Sequence, residues 1–486
     1  MQRLGIVITK PRPPNHLGFH FMLDAEVETS VGTFVEIPSG TLVFVGKITE
    51  IQAQNIYYEN LNFVQSLLSD GVQVADRYMT ETKNYRHARV KILSVVKNTL
   101  SNPPEIPPDP GESVYPISQS TLSYVFDSSN ASLTIGVLHG TSLPLSVDMR
   151  ALMEEHLLVV GSTGSGKTHA AAIVVTGILQ KGLPVVVIDT HGEYHSLFQR
   201  SLSLANPQLE SRSQTDIITV SPQTTTSQPS QSIPFSIQFS ALSPEQINEI
   251  AGIKGAAEDL IHLAYRDAYL EHGSDFTIDM FTQNIQTTGR HWKFHTNSIV
   301  AAVRRLLTLQ ELGIFGAEID LLSLVHPGRV IIVDLSIPMR ERVRRTVAGH
   351  LIRQLFIFRR QNQLHLPVFI LIEEAHRFMP RNFSSYSGTM IQQVAREGRK
   401  FGVGLGIVTQ MTRNLDPITI GQCNTKIILR HNNQTDVEAL LPSSDLIDTA
   451  ETKLLPFIPT GTAYVTGVAT RLPVLVDINN LPSSSS

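Results

Sequence analysis

Eight residues, Gly161-Ser162-Thr163-Gly164-Ser165-Gly166-Lys167-Thr168, match the spacing G-x-x-x-x-G-K-[ST]. The apolar run Leu157-Leu158-Val159-Val160 precedes them, and a small-residue, apolar segment from His169 to Leu179 follows. Strand, glycine loop and helix in that order form the context in which this spacing holds phosphate. The glycines allow positive φ and close backbone approach, so successive N–H groups aim at a β-phosphate, and the helix start adds partial positive charge. Lys167 is placed to reach the β- and γ-phosphates and Thr168 to hold Mg²⁺ through its hydroxyl, with His169 ending the nucleotide-contacting run. ATP and Mg²⁺ are the expected ligands.

A second set of residues supplies the chemistry that a bound triphosphate needs. Pro367-Val-Phe-Ile-Leu-Ile-Glu373-Glu374 reads as an apolar strand ending in two acids. One carboxylate is needed on the Mg²⁺ side, partly through water, and one to polarise the attacking water. Glu373 takes the first role and Glu374 the second, on the expectation that adjacent side chains on a strand tip diverge. Asp189-Thr-His-Gly-Glu-Tyr194 follows another apolar strand at its carboxyl end, where open α/β sheets bind ligands, and Gln410 ends a third. Arg396-Glu-Gly-Arg399-Lys400 is a basic cluster in which one arginine is a candidate finger for the transferring phosphoryl group. His191, Glu193 and His195, like His291 and His295, lack the spacing of a closed zinc site.

These residues have to be held by a fold, and the 486-residue chain is long enough for two or three cored domains. Its 42% hydrophobic and 17% charged composition is that of an ordinary globular protein. The single cysteine, Cys423, excludes an internal disulfide. With no signal-like start and no apolar run of membrane-spanning length, the expected location is cytoplasmic, without membrane contact. A net charge of −4 gives no global nucleic-acid signature. Positive charge is instead local, in Lys83, Arg86, Arg89, Lys91 and Lys97. It recurs between Met339 and Arg360, where seven arginines face only Glu341. There Val343, Val347, Leu351 and Leu355 predict one apolar helical stripe, with the arginines on the other faces.

From Leu157 onward apolar strands alternate with helices, which predicts an α/β core with a mainly parallel sheet. The strands expected are 157–161, 184–189, 329–335, 368–372, 403–409 and 426–429. Residues 1–100 read as a small β-barrel and 101–120 as a Pro-rich connector. The core is expected over 121–240 and 316–460, interrupted by a helical insertion at 241–315, with terminal strands and a tail over 461–486. Residues 221–232 read as a surface loop.

The combination of Gly161–Thr168, Asp189-Thr-His-Gly-Glu-Tyr194, Ile372-Glu-Glu-Ala-His376 and Arg396-Glu-Gly-Arg-Lys-Phe-Gly402 leading to Thr409-Gln410 resembles the HerA group of hexameric DNA translocases. That group belongs to the HerA–FtsK branch of RecA-like P-loop ATPases. The resemblance spans almost the whole chain. It implies that Glu374 is the catalytic acid, that Gln410 senses nucleotide and that Arg399 is presented at a subunit interface. It also implies a homo-hexameric ring around double-stranded DNA, working with a NurA-like nuclease in DNA-end processing or repair, or with another effector enzyme. An ATPase scaffold regulating an effector in anti-phage defence, and a DNA pump of conjugation or secretion type, are the alternatives that the resemblance leaves open.

Overall fold

The computed structural model describes residues 2–55, 58, 61–69, 84–97, 100–126, 132–205, 217–222, 232–440, 452–470 and 472–478. It divides into two compact units, residues 1–129 with 448–453 and residues 130–447 with 454–486. The expected tail at 483–486, Lys83 and the centre of the loop expected at 221–232 lie outside the described residues.

The first unit contains β1 (Gly5–Ile8), β2 (Gly18–Leu23), β3 (Phe34–Ser39), β4 (Leu42–Asn55), β5 (Asn84–Lys97), β6 (Leu100–Asn102) and β7 (Ser113–Pro116). In the order β2-β1-β7-β3-β4-β5 the strands pair antiparallel, and β2 also pairs with β5. That last pairing closes a six-stranded barrel and removes the free edges an open sheet would expose. Alternation decides what faces inward: Phe19, Phe21 and Leu23 on β2 and Ala88, Val90 and Ile92 on β5 are buried, while Arg89 points out. The segment expected to be a connector differs from that reading. Ser113–Pro116 is a barrel strand, pairing Val114 with Gly5 and Tyr115 with Glu36, and a helix, Gln119–Phe126, follows it. Four residues among prolines carry too short an alternation to reveal a strand.

The second unit is built on one twelve-stranded sheet. Its strands are β8 (Ser132–Leu138), β9 (Pro144–Asp148), β10 (Leu157–Val160), β11 (Val185–Asp189), β12 (Ile217–Pro222), β13 (Ser232–Phe235), β14 (Val330–Asp334), β15 (Val368–Ile372), β16 (Val403–Thr409), β17 (Thr425–Leu429), β18 (Thr462–Gly467) and β19 (Val474–Asp477). They lie in the order β13-β12-β14-β11-β15-β16-β10-β17-β18-β19-β8-β9. From β13 to β17 every pairing is parallel, and from β17 to β9 every pairing is antiparallel. The strands β10, β11, β15 and β17 are buried at every position, as strands covered on both faces must be. The inserted block between β13 and β14 consists mainly of the helices Pro244–Ala251, Ala256–His272, Ile278–His291 and Thr296–Gln310. Phe239, Tyr265, Phe276 and Phe281 form its ring cluster.

One strand order matters for function. β15, which leads to Glu373, is separated from β10, which leads to the glycine loop, by β16 alone. The carboxyl ends of β10, β16, β15 and β11 therefore share one edge, and the chain's direction of winding changes there, the place where open α/β sheets bind ligands.

The Arg-rich helix, Glu341–Arg360, buries Val343, Val347, Leu351 and Leu355 as expected. Several arginines are not on a free solvated face, however. Arg344 donates to the Leu335 and Ile337 carbonyls at 2.8 and 3.1 Å, Arg345 to Arg377 O at 2.7 Å, and Arg359 to Phe401 O at 2.6 Å. They tie the loops at both helix ends, satisfying carbonyls that have no strand partner.

His156, at the entrance to β10, is 1% exposed and pins the helix Tyr386–Phe401 to β16. Its Nδ1 accepts from Leu405 N at 3.2 Å, so the ring proton sits on Nε2, which donates to Ala395 O at 3.1 Å. Burial pushes its pKa below the ordinary 6.5, outweighing the contact with Ala395. A depressed folded-state pKa contributes stability that is complete above the unfolded value and lost as pH falls below it. Below about pH 6.5 the unfolding free energy of the protein should therefore fall more steeply than that of a His156→Asn variant. The excess slope should reach at most ~1.4 kcal/mol per pH unit, read from urea midpoints.

Candidate active site

The glycine loop leaves β10 and enters the helix Lys167–Gln180 through Gly164 and Gly166, with φ of 74° and 102°. Both values lie where a side chain would strain the backbone. Gly161 is required for a different reason, since a Cβ there would run into Ser165 Oγ and the Leu429 side chain. The loop is pinned to the exit of β17: Ser162 N donates to Arg430 O at 2.9 Å and Asn432 N to Ser162 Oγ at 3.0 Å. Ser165 is fully buried and its hydroxyl has no hydrogen-bond partner. Thr163 is exposed, and Thr168 and His169 are half-buried.

Lys167 is not the freely exposed lysine that a surface loop suggests. It is 9% exposed, and its Nζ lies back on the loop, donating to Ser162 O at 3.1 Å. Burial lowers its pKa, only partly countered by Glu374 and Glu373. A buried ammonium that donates to one carbonyl has further N–H groups to satisfy, and phosphate oxygens would accept from them.

Glu373 and Glu374 diverge because the chain turns and not because strand side chains alternate. β15 ends at Ile372, and Glu374 adopts left-handed φ and ψ of 47° and 46°. Glu373 is 3% exposed, and its Oε1 lies 3.4 Å from Thr168 Oγ1. The pairing of Ile188 with Ile372 sets Asp189 beside it. Burial and the Asp189 carboxylate push Glu373 up to about 9, and its Oε2 has no donor. Glu374 is 8% exposed and behaves oppositely. Burial alone would raise it, but His376 Nδ1 at 3.1 Å, together with Lys167 and His191, holds it below its ordinary value. Two neighbouring acids are thus separated in acidity by their surroundings, the pattern that assigns different roles in acid–base chemistry.

Gln410 stands at the carboxyl end of β16, between the two arms of the site, where its Oε1 accepts from Thr163 Oγ1 at 2.6 Å. Arg399 is elsewhere. It lies four residues before β16 begins and is 63% exposed, with Nη2 3.4 Å from Glu154 and Nη1 3.8 Å from Glu155. The seven residues of β16 put roughly 20 Å between that end of the sheet and the phosphate edge. The structure therefore brings together Gly161–Thr168, Glu373, Glu374 and Gln410, and leaves Arg399 on the opposite edge.

Sequence reasoning placed the Asp189–Tyr194 segment at this edge and His376 in the motif after the acids, but gave no role to Asp189, His376 or Tyr194. Asp189 receives N–H donors from His191, Gly192 and Tyr194 at 2.9, 2.9 and 3.1 Å, which folds the Asp-Thr-His-Gly-Glu-Tyr segment into a rigid corner beside Glu373. His376 contacts both Glu374 and Thr409 Oγ1, the latter at 3.2 Å, and so ties the acid to the end of β16. Tyr194 is wholly buried against the same acids with an unpartnered hydroxyl. The turn chemistry of Asp189 and the His376 two residues after Glu374 were the available signals.

The donor set suits Mg²⁺, which takes hard oxygens and keeps several waters and phosphates. A threonine hydroxyl, a carboxylate whose second oxygen has no donor, and the neighbouring Asp189 are what such an ion would neutralise. Among the described residues no group of three or more His, Cys, Asp or Glu is arranged to hold a metal by itself. Any Mg²⁺ here would therefore depend on phosphate oxygens. A raised carboxyl pKa costs stability as pH rises from the unfolded value of 4.5 towards about 9. Without nucleotide, the melting temperature should therefore drop across that range, and Glu373→Gln should flatten the drop and raise the melting temperature at pH 8. An unchanged pH profile in the variant would contradict the buried acid pair.

Comparison with known proteins agrees with this geometry. Residues 133–355 match the family model described as the central domain of helicase HerA. The DNA double-strand break repair helicase HerA of Pyrococcus furiosus is 25% identical over 95% of this chain and 90% of its own length. The protein of the same name from Saccharolobus solfataricus is 25% identical over 94% and 89%. Among solved structures, the bacterial conjugative coupling protein TrwBdeltaN70, in a trigonal form with sulphate, superposes with a TM-score of 0.50. It is 13% identical and covers 76% of this chain and 94% of its own, a likeness of fold alone. With the glycine loop, the acid pair and the strand order already described, the chain is similar to the HerA helicases along nearly its whole length and has the fold of a P-loop ATPase.

Proposed function

We propose that the protein is an ATP-driven translocase of double-stranded DNA that acts as a homo-hexameric ring and feeds a NurA-like nuclease. Its relatives named DNA double-strand break repair helicase HerA support the DNA substrate, because the chain matches them nearly end to end. Among the described residues no helix is long and apolar enough to cross a membrane. That observation gives no support to a membrane-anchored pump.

In this reading the triphosphate lies along Gly161–Thr168, with Lys167 leaving Ser162 O for the β- and γ-phosphates. Thr168 and Glu373 would hold Mg²⁺, which neutralises phosphate charge when bound. Glu374 is kept deprotonated by His376 and Lys167, so it can take a proton from the attacking water as that oxygen bonds to the γ-phosphorus. The bond to the β,γ-bridging oxygen breaks, giving ADP and phosphate. Gln410 sits where it can exchange its Thr163 contact for the γ-phosphate, reporting hydrolysis to β16.

The observation that carries the ring is the position of Arg399. It is charged, mostly exposed and on the sheet edge away from its own phosphate loop, which supports a role at a neighbour's site over one at its own. Arginine fingers contribute ~10³–10⁵ in rate. Arg399→Ala should keep ATP binding and ring formation and lose most turnover. Mixing it with Lys167→Ala should restore part of the activity, because some interfaces then join an intact Lys167 to an intact Arg399. Mixed rings that form but stay as inactive as either parent would remove the trans role.

A second substitution tests the acid itself. Glu374→Gln should bind ATP with near wild-type affinity, measured by calorimetry, while steady-state hydrolysis falls at least a hundredfold. Near-normal turnover would reassign the base.

A further inference from the structure

Beyond β14 the chain runs through Ser336–Arg340 into the helix Glu341–Arg360, and four guanidinium groups gather on one cavity there. Arg304 and Arg305 come from the helix Thr296–Gln310, and Arg340 and Arg342 from the start of the Arg-rich helix. With Gly252 and Thr308 they border a cavity of about 420 Å³ that no acidic residue lines. Among the described residues none of the four is in an ion pair, whereas Arg344, two positions along the same helix, bonds Glu341 at 2.7 Å.

Arg342 is the tightest of the group. Its guanidinium lies flush against Gly252, where any Cβ would collide with it, and its Nε is buried with no hydrogen-bond partner. Burial and the positive charges of Arg340 and Arg305 lower its pKa. Like charges held together without an acid raise the energy of the fold, and a bound anion removes that cost.

We propose that this cavity is a second phosphate site, separate from Gly161–Thr168, that takes a compact polyphosphate anion. Guanidinium forks match phosphate oxygens two at a time, which lysines cannot do. The volume falls in the range of small-ligand pockets, whereas a DNA duplex could bring only a backbone phosphate to the mouth. The site is also distinct from the nucleotide loop, because β11, β15 and β16 lie between β14 and β10 in the sheet. This inference does not depend on the motor reading.

The test uses full-length Lys167→Ala protein, in which the first site is disabled, titrated with inorganic tripolyphosphate and with ATP by calorimetry. Adding Arg305→Ala and Arg342→Ala together should weaken tripolyphosphate binding at least tenfold. Arg305→Ala alone, on an exposed helix surface, should weaken it several-fold without affecting folding. Equal affinities for tripolyphosphate and ATP assign recognition to the phosphate chain, and tighter ATP binding adds a base contact. Either result carries the proposal. Tripolyphosphate affinity unchanged by the arginine substitutions would overturn it. So would a loss of duplex-DNA affinity in the arginine variants with no tripolyphosphate binding in any protein, which would make the cavity a nucleic-acid contact.

Discussion

Asp189 and Glu373 come off adjacent parallel strands, β11 and β15, and are buried beside each other at the carboxyl edge of the sheet. Two carboxyl groups in that position repel, and water is not available to screen them. The fold tolerates the pair by raising Glu373 and by aiming three backbone N–H groups at Asp189. Most of the site follows from this constraint. The turn after Ile372 sends Glu374 away from the pair towards His376, and Thr168 faces Glu373 across the gap that β16 opens between β10 and β15. A cation with phosphate would lower the energy of an arrangement that is costly without it, so ligand binding and local stability are coupled.

Both edges of the sheet carry charged side chains. Its carboxyl edge carries the phosphate loop and acids, while its amino edge carries Arg399, steered by Glu154 and Glu155. His156 lies at the amino edge, at the entrance to β10. It accepts from β16 and donates to the helix that bears Arg399. His156 thus joins β16, which leads to Gln410, to the helix that bears the arginine.

Much of this was legible in the sequence, for physical reasons that differ by element. The parallel strands were clear because burial on both faces demands uninterrupted apolar runs, as in Val185–Ile188 and Phe369–Ile372. The phosphate loop was clear because its glycines perform backbone geometry that no other residue allows. The ends of the segment read as a loop over 221–232 belong to β12 and β13. The pair β18–β19 was read as strands, but β8, β9, β12 and β13 were not, since short strands towards a sheet's margin carry weak alternation. β7 was hidden among prolines for the same reason. Side-chain roles were harder to read. The buried state of Lys167, the link from Glu374 to His376 and the carbonyl partners of Arg344, Arg345 and Arg359 are all long-range, and periodicity contains no information about them. The Asp189 corner was recognised as a place and not as a partner of Glu373, because only strand order makes them neighbours.

The central claim is that one nucleotide site is assembled from the ends of β10, β15 and β16, with Glu373 on the metal side and Glu374 on the water side. Its most direct test is an experimental structure of the full chain with a non-hydrolysable ATP analogue and Mg²⁺. The account predicts Lys167 Nζ moved from Ser162 O to the phosphates, Mg²⁺ on Thr168 Oγ1 with Glu373 bound directly or through one water, and a water between Glu374 and the γ-phosphate. A Mg²⁺ held by Asp189 in place of Glu373, or a γ-phosphate out of reach of Glu374, would contradict it.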